Sequence, residues 1–144
     1  MARQRTDTAY NVTWLVRRLF RAMAARADEY LADAELSAAD RAIMEFLYPQ
    51  RALSVPDIAR RYNVSRQHVQ VTVNALIAKK LLHSGANPKH KRSRLIQLSE
   101  KGRDCFDKIR GHEVAVIEQV FDGIYDDALD TTQATLEALL RKFE

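Results

Sequence analysis

The stretch Ser65–Asn74 contains side chains of the types that recognise nucleic acid bases. Arginine can donate two hydrogen bonds to O6 and N7 of guanine, glutamine or asparagine can pair with N6 and N7 of adenine, and Val71 or Thr72 could contact the methyl group of thymine. No acidic residue occurs from Ser65 to Ala78, whereas a helix face that meets only water usually carries both signs of charge. The candidate base-contacting residues are therefore Ser65, Arg66, Gln67, His68, Gln70, Val71 and Asn74.

A second basic group follows at residues 89–94, which read Lys-His-Lys-Arg-Ser-Arg. A basic loop of this kind can enter the minor groove of DNA, because narrow A·T-rich grooves concentrate negative potential and attract arginine. The candidate groove-contacting residues are Lys89, Lys91, Arg92 and Arg94.

The charge of the chain is distributed unevenly. Residues 1–50 contain seven basic and seven acidic side chains, residues 51–103 contain twelve basic and two acidic ones, and residues 104–144 contain four basic and ten acidic ones. The formal net charge of +4 thus conceals a central block of +10 and a C-terminal block of −6. Such a basic block is expected of a surface that binds a polyanion, although charge alone is equally compatible with a solvated basic face.

Hydrophobic spacing and capping residues predict the helices of the first half of the chain. Apolar residues three and four positions apart from Val12 to Met23 predict a long first helix, from about Tyr10 to Ala32. Three shorter helices should follow, each with a serine as its N-cap: Ser37, Ser54 and Ser65.

The second half begins with a predicted β-hairpin. Loop-forming residues occupy 84–93 and a strand-like run follows at 94–98. A helix should open at Ser99, a turn should occupy 126–130, and the apolar spacing at 136–143 predicts a last helix.

The third and fourth helices have the arrangement of a helix-turn-helix. They are short, only Asn63-Val64-Ser65 separates them, and the second carries the polar residues described above. In a helix-turn-helix the second helix lies in the major groove of DNA.

Five short motifs also occur in a fixed order between Leu36 and Gly102: Val55-x-x-Ile58-Ala59, Val64-Ser65-Arg66-x-x-Val69, Leu81-Leu82, Asn87-Pro88-x-x-x-Arg92 and Ile96-x-Leu98-Ser99-x-x-Gly102. In this order and spacing, they resemble the MarR family of winged helix-turn-helix regulators. The resemblance implies a mostly α fold with a small β-hairpin wing, double-stranded DNA as a partner, and a homodimer. It divides the chain into an N-terminal dimerisation helix (1–36), a DNA-binding lobe (37–98) and C-terminal dimerisation helices (99–144), interlocked as one structural unit.

Three residues depart from the family pattern. His90 stands where the family has the aspartate that braces a wing arginine, which predicts a looser or pH-sensitive wing. Val71 occupies a position where the family often has arginine. Lys80 replaces the usual glycine after the recognition helix, where a left-handed backbone costs other residues about 1 kcal/mol.

No pattern for catalysis or metal binding is apparent. The sequence lacks a glycine-rich phosphate loop and a nucleophile elbow, so we do not expect an enzyme. The four histidines do not have the spacing of metal ligands, so we expect no metal site and no cofactor. We expect the single Cys105 to be a small, partly buried apolar residue rather than a reactive thiol.

These patterns predict a cytoplasmic regulator without a membrane span. A lone cysteine fits a reducing compartment, although the basic first 30 residues loosely mimic a transit peptide. We predict a repressor that binds a pseudo-palindromic operator and responds to a signal, and the resemblance implies a small-molecule effector of unknown identity. The alternative is a winged-helix adaptor that binds another protein instead of specific DNA.

Overall fold

The computed structural model of the chain describes residues 1–143. The described residues form two compact units, of which the first is Met1–Ile109 and the second begins at Arg110. The elements in chain order are α1 (Ala2–Asp33), α2 (Ala38–Leu47), β1 (Leu53–Ser54), α3 (Val55–Tyr62), α4 (Arg66–Ala78), β2 (Leu82–Gly85), β3 (Leu95–Leu98), α5 (Glu100–Val120) and α6 (Asp126–Phe143). The mostly helical fold with a small sheet is the predicted one. None of the described helices could cross a membrane, because none is both long and apolar enough.

Helix α1 begins eight residues earlier than predicted, at Ala2 rather than Tyr10. Residues 2–9 include no glycine or proline that would stop a helix, and the Thr8 hydroxyl donates to the Gln4 carbonyl at 2.9 Å. The large apolar residues from Tyr10 to Met23 are exposed, and of the side chains of α1 that the structure describes, Leu31 near the C-terminus is the fully buried one.

The core of the first unit lies among α2, α3, α4, the sheet and the start of α5. Its fully buried side chains include Ile43, Met44, Leu47, Ile58, Val69, Val73, Leu76 and Phe106. The predicted cap of α2 is confirmed as a capping box, since Asp40 N donates to Ser37 Oγ at 3.1 Å and Ser37 N donates to Asp40 Oδ2 at 2.8 Å.

The predicted hairpin is present, and a third strand joins it. The sheet is antiparallel in the order β1-β3-β2, with Leu53 opposite Ile96 and Leu82 opposite Leu98. Strand β1 was not predicted, because a strand of two residues has no periodicity of its own.

The start of α5 is joined tightly to the end of the helix-turn-helix. Ser99 N donates to the Leu81 carbonyl at 2.9 Å, and the Ser99 hydroxyl donates to the Lys80 carbonyl at 2.6 Å. A Cβ atom on Gly102 would lie only 1.9 Å from the Leu81 carbonyl oxygen. Glycine is therefore required at position 102.

The second unit contains the end of α5 and all of α6. The predicted turn over 126–130 is wrong, because Asp126 begins α6 and the preceding turn contains Gly123 at φ +79°. Asp126 and Asp127 suit the first turn of a helix because the macrodipole attracts negative charge there. Glu144, which ends the predicted 99–144 segment, lies outside the described residues.

Candidate nucleic-acid interface

Local capping and one apolar face set the orientation of helix α4. Ser65 is its N-cap as predicted, and accepts a hydrogen bond from His68 N at 3.1 Å. The core-facing residues of α4 are Val69, Thr72, Val73 and Leu76. With this face fixed against the core, every predicted base-contacting residue of the segment is exposed: Ser65, Arg66, Gln67, His68, Gln70, Val71 and Asn74.

Thr72 corrects one sequence expectation. It is only 8% exposed, and its hydroxyl donates to the His68 carbonyl at 3.0 Å, so it cannot contact a thymine methyl from outside the protein. Val71 is 63% exposed and remains available for that contact. The two residues differ because successive positions on a helix are about 100° apart.

Gln70 and Asn74 form a hydrogen-bonded pair on the exposed side of α4. Gln70 Nε2 donates to Asn74 Oδ1 at 2.9 Å, one helical turn along the chain. Both residues were predicted to contact bases, but their hydrogen bond was not predicted, although two amide side chains spaced i,i+4 on a helix can indicate such a pair.

The end of α4 has the left-handed residue that the sequence predicted. Lys80 has φ +63°, Lys80 N donates to the Ile77 carbonyl at 2.8 Å, and Leu81 N donates to the Leu76 carbonyl at 3.0 Å. These two bonds form a Schellman motif, which usually places glycine at this position.

The wing loop between β2 and β3 is closed by short-range hydrogen bonds. Lys89 N donates to Asn87 Oδ1 at 3.0 Å, His90 N donates to the Asn87 carbonyl at 3.2 Å, and Ser93 N donates to the His90 carbonyl at 3.1 Å. The predicted groove-contacting residues on this hairpin are all exposed: Lys89, Lys91, Arg92 and Arg94.

Arg94 is held differently from the other basic residues of the wing. Its Nε donates to Ser84 Oγ at 3.0 Å, and its Nη2 donates to the Ser84 carbonyl at 3.1 Å. The guanidinium therefore braces β2 against β3, a role for Ser84 that sequence analysis missed. Neither residue alone indicates this contact in the sequence, because the contact depends on the pairing of β2 with β3.

The exposed face of α4 and the wing line one concave surface within the first unit. Its polar lining consists of Arg66, Gln67, Gln70, Asn74, Ser84, Arg92, Ser93 and Arg94. Arg66 and Arg92 also line an adjoining concavity with Lys89 and His90. Ser65, His68, Val71 and Lys91 do not line either concavity and lie on exposed parts of the same helix and loop.

Asp57 provides the single carboxylate of residues 51–99 and lies at the edge of this surface. The Ser54 hydroxyl donates to Asp57 Oδ2 at 2.8 Å, and Arg60 Nη2 lies 2.8 Å from Asp57 Oδ1. The hydrogen bond from Ser54, followed by that from Arg60, lowers the pKa of the Asp57 carboxyl. The Asp57 carboxylate is thus paired with Arg60. Among the residues that the structure describes, it forms no salt bridge with the basic side chains of α4 or the wing.

Cys105 is half-buried against the core of the first unit. Burial raises the pKa of its thiol, and the positive charges of Lys108, Lys101 and Lys79 oppose that rise only in part. A raised pKa favours the thiol over the reactive thiolate. Among residues 1–143, no group of three or more His, Cys, Asp or Glu residues is placed to hold a metal ion.

Comparison with known proteins gives a family match over the part of the chain that contains most of the α4 and wing surface. Residues 35–93 match the family model described as MarR family. The uncharacterized protein Rv2011c of Mycobacterium tuberculosis (strain ATCC 25618 / H37Rv) is 36% identical over 90 residues, which are 62% of this chain and 63% of that protein. The chain therefore spans just under two thirds of the length of this curated relative.

Solved structures are similar over nearly the whole chain. The MarR family transcription regulator SP03579 has a TM-score of 0.83 and 24% identity, covering 97% of this chain and 93% of the regulator. The S. aureus MepR–DNA complex contains a chain with a TM-score of 0.78 and 18% identity, covering 92% of this chain and 98% of MepR. These similarities show a winged-helix fold.

Proposed function

We propose that this winged helix-turn-helix protein belongs to the MarR family and regulates transcription by binding double-stranded DNA. The observation that carries this proposal is the shared surface of α4 and the wing, which combines base-reading side chains with Arg66, Arg92 and Arg94. It belongs to a segment, residues 51–103, with twelve basic and only two acidic side chains. Such a surface complements the phosphate backbone and the base edges of a duplex.

The proposed arrangement gives the two basic elements different roles. Helix α4 enters the major groove and offers its amide and guanidinium groups to base edges. The wing approaches the adjacent minor groove with Lys89, Lys91 and Arg92. Their positive charges are attracted by the phosphates and by the negative potential of narrow A·T-rich segments. Arg94 holds β2 against β3 through Ser84 and adds a positive charge to the wing.

The proposal includes a homodimer because the chain exposes large apolar side chains that a second copy would cover. In the first unit they lie on α1: Tyr10, Trp14, Leu15, Leu19, Phe20 and Met23. In the second unit they include Ile117, Val120, Phe121, Ile124, Leu136 and Leu140. Exposed apolar patches of this extent mark interaction surfaces.

A two-fold dimer would present two copies of α4 to one duplex. Half-site centres should then be about 34 Å apart, one turn of the double helix, in a pseudo-palindromic operator. We further propose a repressor without catalytic activity that acts in the cytoplasm and responds to a small-molecule signal.

Salt dependence of binding tests the proposal. Each neutralised phosphate contributes about −0.9 to the slope of log K against log salt, so we expect a slope of several units. Binding of the full chain to a duplex would be measured by fluorescence anisotropy over a salt series that begins at about 50 mM. Affinity that does not change with salt, or no duplex binding at the lowest salt, would contradict the proposal and favour the adaptor alternative.

A further inference from the structure

We infer that Val71 contacts a thymine methyl group, and that Asn74, positioned by Gln70, reads an adenine in the same or the neighbouring base pair. The inference rests on the proposed function and names the base pairs that α4 reads. An A·T pair should therefore occur within each half-site.

The position of Val71 on the helix is the first observation. With 3.6 residues per turn, Gln67, Val71 and Asn74 fall within about 60° of arc, on the side opposite the buried residues. Val71 therefore lies on the face that points away from the core, at one side of this arc. The other exposed large apolar residue of α4 is Ile77. It is 36% exposed, compared with 63% for Val71.

The chemistry of valine determines what it can recognise. Its side chain has no hydrogen-bonding group, so it cannot pair with the polar edge atoms of a base. In the major groove the apolar group presented by a base pair is the C5 methyl of thymine. A valine with Gln67 and Asn74 one helical turn away on either side thus adds selectivity for thymine to a surface that otherwise reads polar atoms.

The hydrogen bond between Gln70 and Asn74 is the second observation. It fixes the Asn74 amide with Oδ1 toward Gln70 Nε2, 2.9 Å away, and leaves both hydrogens of Nδ2 free to donate. An asparagine amide pairs with adenine by donating to N7 and by accepting from N6, and Oδ1 has a second lone pair for that bond. Gln70 is accordingly a positioning residue for Asn74.

Deoxyuridine tests the role of Val71, because it lacks only the methyl group of thymine. A duplex selected by the full chain from a random pool would have each thymine of a half-site replaced in turn, with affinity measured by anisotropy. At one thymine per half-site the wild-type Kd should rise about fourfold, the effect of losing one buried methyl group. Val71→Ala should bind both duplexes equally, whereas Ala78→Ser, changed at an exposed position of α4 outside the predicted base-contacting set, should still distinguish them.

7-Deazaadenine tests Asn74 in the same duplex, because it lacks the N7 acceptor. Wild type should lose affinity at one adenine, either the partner of the thymine that Val71 contacts or one in the neighbouring base pair, and Asn74→Ala should lose this sensitivity. Gln70→Ala should reduce the sensitivity at that adenine while retaining the thymine–uridine difference. A uniform loss of affinity for all duplexes in Gln70→Ala would contradict its positioning role.

The possible outcomes distinguish a failure of this inference from a failure of the proposed function. If wild type binds thymine and uridine duplexes equally at every position, or if Val71→Ala still distinguishes them, the reading by Val71 is wrong while DNA binding stands. If the chain selects no duplex at all, the proposed function itself fails.

Discussion

The Arg94 guanidinium binds Ser84 at both its side chain and its backbone, through Nε to Oγ at 3.0 Å and Nη2 to the carbonyl at 3.1 Å. Ser84 belongs to β2 and pairs with Ile96 of β3, so this contact closes the base of the wing. His90 stands where the resemblance predicts a bracing aspartate, and the bracing contact that the structure shows is the one between Ser84 and Arg94.

Replacing Arg94 by lysine should loosen the wing while keeping its charge. A lysine ammonium cannot reproduce the two-point contact of a planar guanidinium. We expect faster amide hydrogen exchange in residues 84–95 and a duplex affinity lower by a few fold. Lys91→Ala is the matched control, because it removes a wing charge without a brace and should leave exchange in the wing unchanged.

Arg66 and Lys91 should affect DNA binding in different ways. Arg66 lies at the start of α4 and can pair with a guanine, whereas Lys91 lies on the exposed wing loop, where the proposed arrangement brings it close to phosphates. Arg66→Ala should change sequence preference, and Lys91→Ala should weaken all duplexes alike and reduce the salt slope by about 1. Anisotropy titrations with specific and random duplexes distinguish the two; equal effects on both duplexes would refute this division.

Lys80→Gly should stabilise the protein. Lys80 has φ +63°, where glycine avoids a steric cost of about 1 kcal/mol. Urea unfolding at fixed protein concentration would measure the gain. Lys79→Gly is the control, since Lys79 has φ −78° and gains no such relief, so it should not be stabilising. Equal stabilisation by both changes would argue against strain at Lys80.

Two glycines of α5 should respond oppositely to alanine. The added Cβ at Gly102 would lie 1.9 Å from the Leu81 carbonyl oxygen, so Gly102→Ala should destabilise the fold by about 1–3 kcal/mol. At Gly111 a Cβ would meet nothing within 4 Å, and Gly111→Ala should stabilise the helix by up to about 1 kcal/mol. Thermal unfolding monitored by circular dichroism compares the two. A neutral Gly102→Ala would refute the close approach.

The Asp57 carboxyl should make stability depend on acid pH. Its folded-state pKa lies below the ordinary value of 3.8, so its contribution is present above that pH and is lost as the pH falls through the folded pKa. Asp57→Asn should therefore lower stability at neutral pH and converge with wild type in strong acid. Urea unfolding of both proteins across the acid range checks this. A difference that persists at the lowest pH would exclude ionisation of Asp57 as its cause.

Features set by neighbouring residues were predictable from sequence, and features set by distant ones were not. The serine caps at Ser37, Ser54 and Ser65 were confirmed because each needs only a backbone N–H three residues ahead. The left-handed Lys80 was confirmed because the end of α4 and the family pattern both indicate it.

The errors and omissions have physical reasons of their own. Strand β1 exists only because Leu53 and Ser54 meet β3. The acids at 126–130 suit a turn as well as a first helical turn, so composition alone could not place the start of α6. Thr72 was grouped with Val71 because both side chains carry a methyl group, and only the packing of α4 shows that Thr72 faces the core.

The central claim is that two copies of this chain bind a specific duplex through α4. Selection of bound fragments from a random pool of duplex DNA tests it most directly. The account predicts a two-fold symmetric motif with half-site centres about 34 Å apart. A pool that stays random after repeated selection, or a motif without two-fold symmetry, would contradict it.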